Sequence, residues 1–201
     1  MNWYEQDIQK LEKKSHKLDY KPKMVFYGSS SITMWDSLYD DFAKYVPVNL
    51  GFGGSTLEAC VYYFKRIMKP FCPDYLVIYA GDNDLGDGKQ PKQVLDFFEQ
   101  LCRLTNENFS NTTVFYISIK PSLARWNFNE QIKRTNQLIR QSIDTNHPQV
   151  QFIDLYNDML NEDGKPNPEL YIEDGLHLNS KGYALWKDIL LKHFSLAIPD
   201  K

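Results

Sequence analysis

Gly28-Ser29-Ser30-Ser31 stands between an apolar run, Met24-Val25-Phe26-Tyr27, and an apolar pattern that resumes at Ile32. A run that short, rich in Val and aromatics, reads as a buried strand, and the Gly allows a sharp turn into a helix start. Ser30 is then held at the C-terminal end of a strand, beside free N–H groups that favour developing negative charge. That makes it the candidate nucleophile. A serine alone is a poor nucleophile and needs an adjacent base. Asp174-Gly175-Leu176-His177 supplies one: His177 as base, with Asp174 three residues earlier to accept from its other ring nitrogen and fix the tautomer. A tetrahedral intermediate also needs donors aimed at its oxyanion. The backbone N–H groups of Ser30 and Gly54 and the side-chain amide of Asn83 are the candidates. Together these groups have the makings of acyl transfer.

Each residue also has a plainer reading. Ser29 and Ser31 are expected to cap the helix or satisfy the turn. Asp174 can serve as a turn residue, and Asn179-Ser180 as a helix cap. Gly54 and Asn83 stand where turns after strands need such residues anyway. Of the four histidines, His16 lies on a charged N-terminal segment, His147 precedes a Pro, and His193 falls in the last helix, where it is expected to be solvated. His177 follows the Asp-x-x pattern of Asp174-Gly175-Leu176. Asp82, Asp84 and Asp87 invite a calcium reading. The EF-hand loop, however, wants Gly where Asp87 stands and Glu where Gln93 stands, so no metal is expected.

The elements that must position these groups alternate along the chain. Strands are expected at 24–28, 45–50, 75–80, 113–119 and 150–154. Helices are expected after Thr56 (an N-cap), from Pro91, over about 127–145, and from Ser180. Segment 81–88 reads as a polar loop and 156–173 as a long one. Residues 2–20 read as an amphipathic helix packed on the outside of the domain. Five strand–helix alternations argue for a parallel sheet with helices on both faces, a three-layer α/β/α sandwich. In such sheets ligands bind beyond the carboxyl ends of the strands, where the Gly28, Gly53, Gly81 and Asp174 segments would meet.

The 201 residues fit one domain, 1–201, with a sizeable core. Net charge is −3, from 23 basic and 26 acidic residues that are interspersed. No basic stripe suits nucleic acid. No apolar run has transmembrane length, and the N-terminus lacks the features of a signal peptide. A cytoplasmic location is therefore expected, though a trimmed secretory form would look the same. Cys60, Cys72 and Cys102 lack Cys-x-x-Cys spacing and read as small buried hydrophobes.

In this order the blocks resemble those of the SGNH (GDSL-type) hydrolases. Gly28-Ser29-Ser30 stands at the Gly-Asp-Ser block, and Gly53-Gly54-Ser55-Thr56 at the glycine block. Gly81-Asp82-Asn83-Asp84 stands at the Gly-x-Asn-Asp block and Asp174-Gly175-Leu176-His177 at the Asp-x-x-His block. The resemblance spans 24 to about 190 and leaves out the N-terminal helix. It implies a flavodoxin-like fold with a five-stranded parallel sheet. It also implies Ser30 as nucleophile, His177 as base, Asp174 as its orienter, and Ser30, Gly54 and Asn83 around the oxyanion. No cofactor or metal is implied, and family members are esterases, lipases, thioesterases and carbohydrate esterases. Ser29 replaces the family's usual Asp, and Ser30 is preferred within the triplet because it stands two residues after the Gly. The expected substrate is a small-molecule carboxylic ester. High aromatic content favours short acyl or acetyl groups; Trp126, Phe128, Tyr171 and Leu176 are candidate pocket residues, with core packing the default for most aromatics in a chain of 13 Tyr and 12 Phe. Segments 120–128 and 156–173 are expected to shape specificity. A flavodoxin-like phosphate- or nucleotide-binding protein, or a non-catalytic ligand-binding scaffold, is the alternative. Oligomeric state is not legible.

Overall fold

A computed structural model describes residues 1–198. Five strands form one sheet: β1 (Met24–Gly28), β2 (Pro47–Gly51), β3 (Tyr75–Tyr79), β4 (Thr113–Ile117) and β5 (Val150–Ile153). All pair in parallel in the order β2-β1-β3-β4-β5. The eight α-helices among the described residues are α1 (Glu5–Lys17), α2 (Ser30–Thr33), α3 (Leu38–Asp41), α4 (Leu57–Met68), α5 (Asp82–Gly86), α6 (Pro91–Asn108), α7 (Asn129–Asn146) and α8 (Ser180–Ala197).

The inner strands β1 and β3 are apolar runs because both faces are covered, as parallel sheets require, while the edge strands β2 and β5 carry the half-buried Asn49 and Gln151. Their side chains alternate between two cores. Val25, Tyr27, Leu76, Ile78, Val114 and Tyr116 pack on one side with residues of α1, α4, α6 and α7. Met24, Phe26, Val77, Tyr79, Phe115 and Ile117 pack on the other with Trp35, Phe42 and the Trp186/Leu190/Phe194 face of α8. This is the three-layer sandwich expected. The chain leaves β1 toward β2 on one side and returns to β3 on the other. The β1/β3 boundary is thus a topological switch point, where open α/β sheets bind ligands.

Several local expectations change. Segment 81–88 contains the single-turn helix α5 rather than loop alone. β2 begins at Pro47, because Val46 adopts a left-handed conformation (φ 49°) that ends the preceding turn. Ser29 stands at the N-cap position of α2 without making a capping hydrogen bond. Cys60 and Cys102 are buried, but Cys72 is exposed. His193 is half-buried rather than solvated. Segment 156–173 is held in place by two short 3-10 turns and by bridges pairing Leu160 with Pro166 and Tyr171 with Leu178. Thr56 does cap α4, accepting from Ala59 N at 3.0 Å. Asn179 caps α8 through Lys181 and Gly182.

One buried carboxylate ties the β2 and β3 exits together. Asp84, fully buried, accepts from Leu57 N at 2.7 Å and Glu58 N at 3.5 Å at the start of α4. Burial raises its pKa to about 6, with the two N–H groups acting the other way. The folded pKa therefore lies above the unfolded one, and the folded state holds the proton more tightly. Asp84 costs nothing below about pH 4 and weakens the fold as pH rises from about 4 to 6. Asp84→Asn keeps an acceptor for Leu57 without the charge. Thermal melts from pH 4 to 7 should show wild type losing about 1–3 kcal/mol relative to that variant across this window. A gap independent of pH would contradict the assignment.

Candidate active site

β1 ends at Gly28, whose φ is 144° and whose Cα lies against the neighbouring strand. A Cβ there would sit 1.9 Å from Tyr79 O, so only glycine fits. The next N–H, Ser29, bonds that same carbonyl at 2.9 Å. This fastens the turn to the switch point and leaves Ser30 as the first residue of α2, partly exposed at the rim of a buried floor.

The chain brings His177 to Ser30 from 147 residues away: Nε2 lies 3.0 Å from Ser30 Oγ. His177 Nδ1 lies 2.6 Å from Asp174 Oδ2. The other carboxylate oxygen of Asp174 accepts from Leu176 N at 2.8 Å and His177 N at 2.9 Å. Asp174 is therefore both the turn residue of the plainer reading and the partner of the imidazole. Desolvation raises its pKa, but the His177 ring and the two N–H groups outweigh that and hold it down to about 2. An ionised carboxylate can only accept, so the proton of the neutral imidazole belongs on Nδ1. The lone pair on Nε2 then faces the Ser30 hydroxyl.

The expected oxyanion donors lie just beyond the exits of β1, β2 and β3. Among the described residues, neither Ser30 N nor Gly54 N donates to a protein acceptor. Asn83 Nδ2 donates one hydrogen to Ser55 O at 3.0 Å, which joins the β2 and β3 exits and leaves its second hydrogen free. Ser30, Gly54 and Asn83 are each partly exposed, beside the buried Ser29, Ser55 and Asp82.

Two features were missed in the sequence. Arg125 donates through Nη2 to Asn83 Oδ1 at 2.9 Å. Its Nη1 lies 2.8 Å from Asp82 Oδ1, a charge contact rather than an aligned hydrogen bond. The N-terminal segment is also more than an outer layer. Tyr4 OH donates to Gly54 O at 3.0 Å, and the Trp3 ring comes within 2.8 Å of where a Gly54 Cβ would project. Trp3 is 67% exposed. Its place in a charged N-terminal stretch carried no signal of this contact. Of the four pocket candidates, Tyr171 is instead buried, its hydroxyl donating to Pro121 O at 2.7 Å. Phe128 packs on the core, while Trp126 and Leu176 are half-buried. Asp82 and Asp84 point to different partners, Arg125 and the start of α4.

This arrangement can move the Ser30 proton to His177, whose imidazolium Asp174 would steady. Asp174→Ala should lower the rate at which a fluorophosphonate labels Ser30 by about 10²–10³-fold, with the circular dichroism spectrum unchanged. Peptide mass spectrometry would locate the label. Equal labelling in both proteins would sink the pairing.

Comparison with known proteins places the chain. Its sequence is 24% identical over 187 residues to an N-acylneuraminate cytidylyltransferase of Escherichia coli, covering 90% of this chain. The chain spans only 42% of the length of that relative. A GDSL-like lipase from Bacteroides thetaiotaomicron shares the fold at a TM-score of 0.80 and 20% identity, covering 95% of this chain and 98% of the other. An acetyl xylan esterase does so at 0.69 and 20%, covering 85% and 97%. The profile of the GDSL-like Lipase/Acylhydrolase family matches residues 26–185, most of the chain, and the chain belongs to that family.

Proposed function

We propose that this protein is a serine ester hydrolase that works through an acyl-enzyme. The observation that carries the reading is the continuous hydrogen-bonded line from Ser30 Oγ through His177 to Asp174. In this reading Ser30 Oγ attacks the ester carbonyl carbon and its proton passes to His177 Nε2. The carbonyl oxygen takes the negative charge and is met by Ser30 N, Gly54 N and the free hydrogen on Asn83 Nδ2. Collapse breaks the bond to the alcohol, which leaves with the proton from His177. Water then enters, gives a proton to the same nitrogen, and attacks the acyl carbon. His177 returns that proton to Ser30 as the carboxylic acid departs. Asp174 stays ionised throughout and steadies the imidazolium.

Family membership supports ester hydrolysis in general. The finer preference, for short acyl or acetyl esters, draws on the acetyl xylan esterase of the same fold. It also draws on the exposed Trp3 ring beside Gly54, a flat apolar surface on which the alcohol part of a substrate can lie. A phosphate-cradling role fits less well, because it gives no task to the Ser30–His177–Asp174 line. The substrate is taken to be a small molecule. Among the described residues no helix is long and apolar enough to cross a membrane.

p-Nitrophenyl esters from acetate to decanoate, turned over by wild type and Ser30→Ala in parallel, test both levels. The expected result is a rate highest for acetate and lowered by about 10³-fold or more in the variant. An undiminished rate in Ser30→Ala would overturn the serine mechanism. Rates that climb steadily to decanoate would overturn the short-acyl preference alone.

A further inference from the structure

Arg125 lies in none of the four blocks, yet it is wired into one of them. It sits on the connection between β4 and α7, and its guanidinium reaches across to α5. There it bonds the carbonyl oxygen of the Asn83 side chain at 2.9 Å. The arginine is itself held by Asp82, buried at the start of α5, at 2.8 Å. Lys120, 1% exposed, adds a second cation 3.8 Å from the other oxygen of Asp82. The close fit is visible at Gly86, where an added Cβ would lie 3.0 Å from Arg125 Cζ.

These contacts leave the Asn83 carboxamide a single usable orientation. Its oxygen faces a donor, Arg125 Nη2, and its nitrogen faces an acceptor, Ser55 O. Rotating the amide by half a turn would set donor against donor and acceptor against acceptor. The second Nδ2 hydrogen, which neither contact uses, is thereby held in one fixed direction. A cation bonded to the amide oxygen also draws electron density from its nitrogen, and so strengthens that remaining N–H as a donor.

We propose that Arg125 is a positioning residue of the oxyanion hole, which orients and polarises the Asn83 amide for the charge formed on the substrate carbonyl. The inference rests on the serine hydrolase reading above. It predicts a loss in kcat rather than in substrate binding, because the interaction strengthens only as the oxyanion forms.

The test is a double-mutant cycle on p-nitrophenyl acetate, with fluorophosphonate labelling of Ser30 as a second readout. Arg125→Ala should lower kcat and the labelling rate by about 10-fold or more, with KM within about threefold. Asn83→Ala should lower them by about 10²-fold, and the double variant should be little worse than Asn83→Ala. Arg125→Lys keeps the charge beside Asp82 but loses the planar fork, so it should fold like wild type and still be impaired in kcat. Losses that multiply in the double variant, an effect on KM alone, or full kcat in Arg125→Lys would each overturn the positioning role. The parent reading fails separately, if wild-type turnover and labelling do not depend on Ser30.

Discussion

The tight approach of Gly28 to the Tyr79 carbonyl is the constraint on which the site depends. At most strand ends a side chain would keep neighbouring backbones apart. Here its absence lets β1 turn sharply over β3, with Ser29 N bonded to the same carbonyl that a Cβ would strike. The turn falls at the sheet's switch point, where no crossover covers the strand ends. Ser30 is therefore accessible while every residue of β1 beneath it is buried. The rigidity of a parallel sheet covered on both faces is passed to one hydroxyl through one residue.

From that point the rim is assembled by polar contacts between successive strand exits. Asn49, near the end of β2, donates through its side-chain amide to Ile32 O at 2.6 Å, tying β2 to the short helix that carries Ser30. Asn83 and Asp84, adjacent on α5, both reach back across the β2 exit, Asn83 to Ser55 O of the glycine block and Asp84 to the start of α4. Arg125 and Lys120 close the line from the β4 exit through Asp82. Ions this deeply buried cost free energy unless their partners are well placed. Burial lowers the pKa of Lys120 while Asp82 opposes the shift. Well-placed partners limit the number of arrangements such a network can adopt. Electrostatic preorganisation has that same requirement, since donors that need no rearrangement contribute most when charge develops.

The N-terminal segment adds to this frame from outside the family-matched region. Arg66 on α4 is paired with Glu5 and Glu12 of α1, each at 2.8 Å, and Tyr63 OH donates to Met1 O at 2.9 Å. Those contacts hold α1 against α4, and Tyr4, only 3% exposed, bonds Gly54 O. Exposed ion pairs contribute little to stability by themselves. Their effect here is positional: they set the orientation from which Trp3 meets the glycine block.

The sequence alone determined the architecture and pointed to the four segments of the candidate site. The strands were legible because both faces of the sheet are buried, which makes the inner strands β1 and β3 continuous apolar runs. Gly28, the Gly53-Gly54 pair and the Asp-x-x-His spacing were legible because turn and tautomer chemistry act over a few residues. Asp174 and His177 lie three apart, so one turn nearly suffices to pair them. The bond from His177 to Ser30, across 147 residues, was an expectation that only folding could meet. Arg125, Asp82 and Lys120 went unread in these roles because their meaning lies in which carboxylate or amide they face. Side-chain direction at a strand exit is set by packing between elements, not by local pattern. Trp3 shows the same limit. In sequence it is one apolar residue in a charged stretch, and the docking of α1 on α4 decides that it meets Gly54.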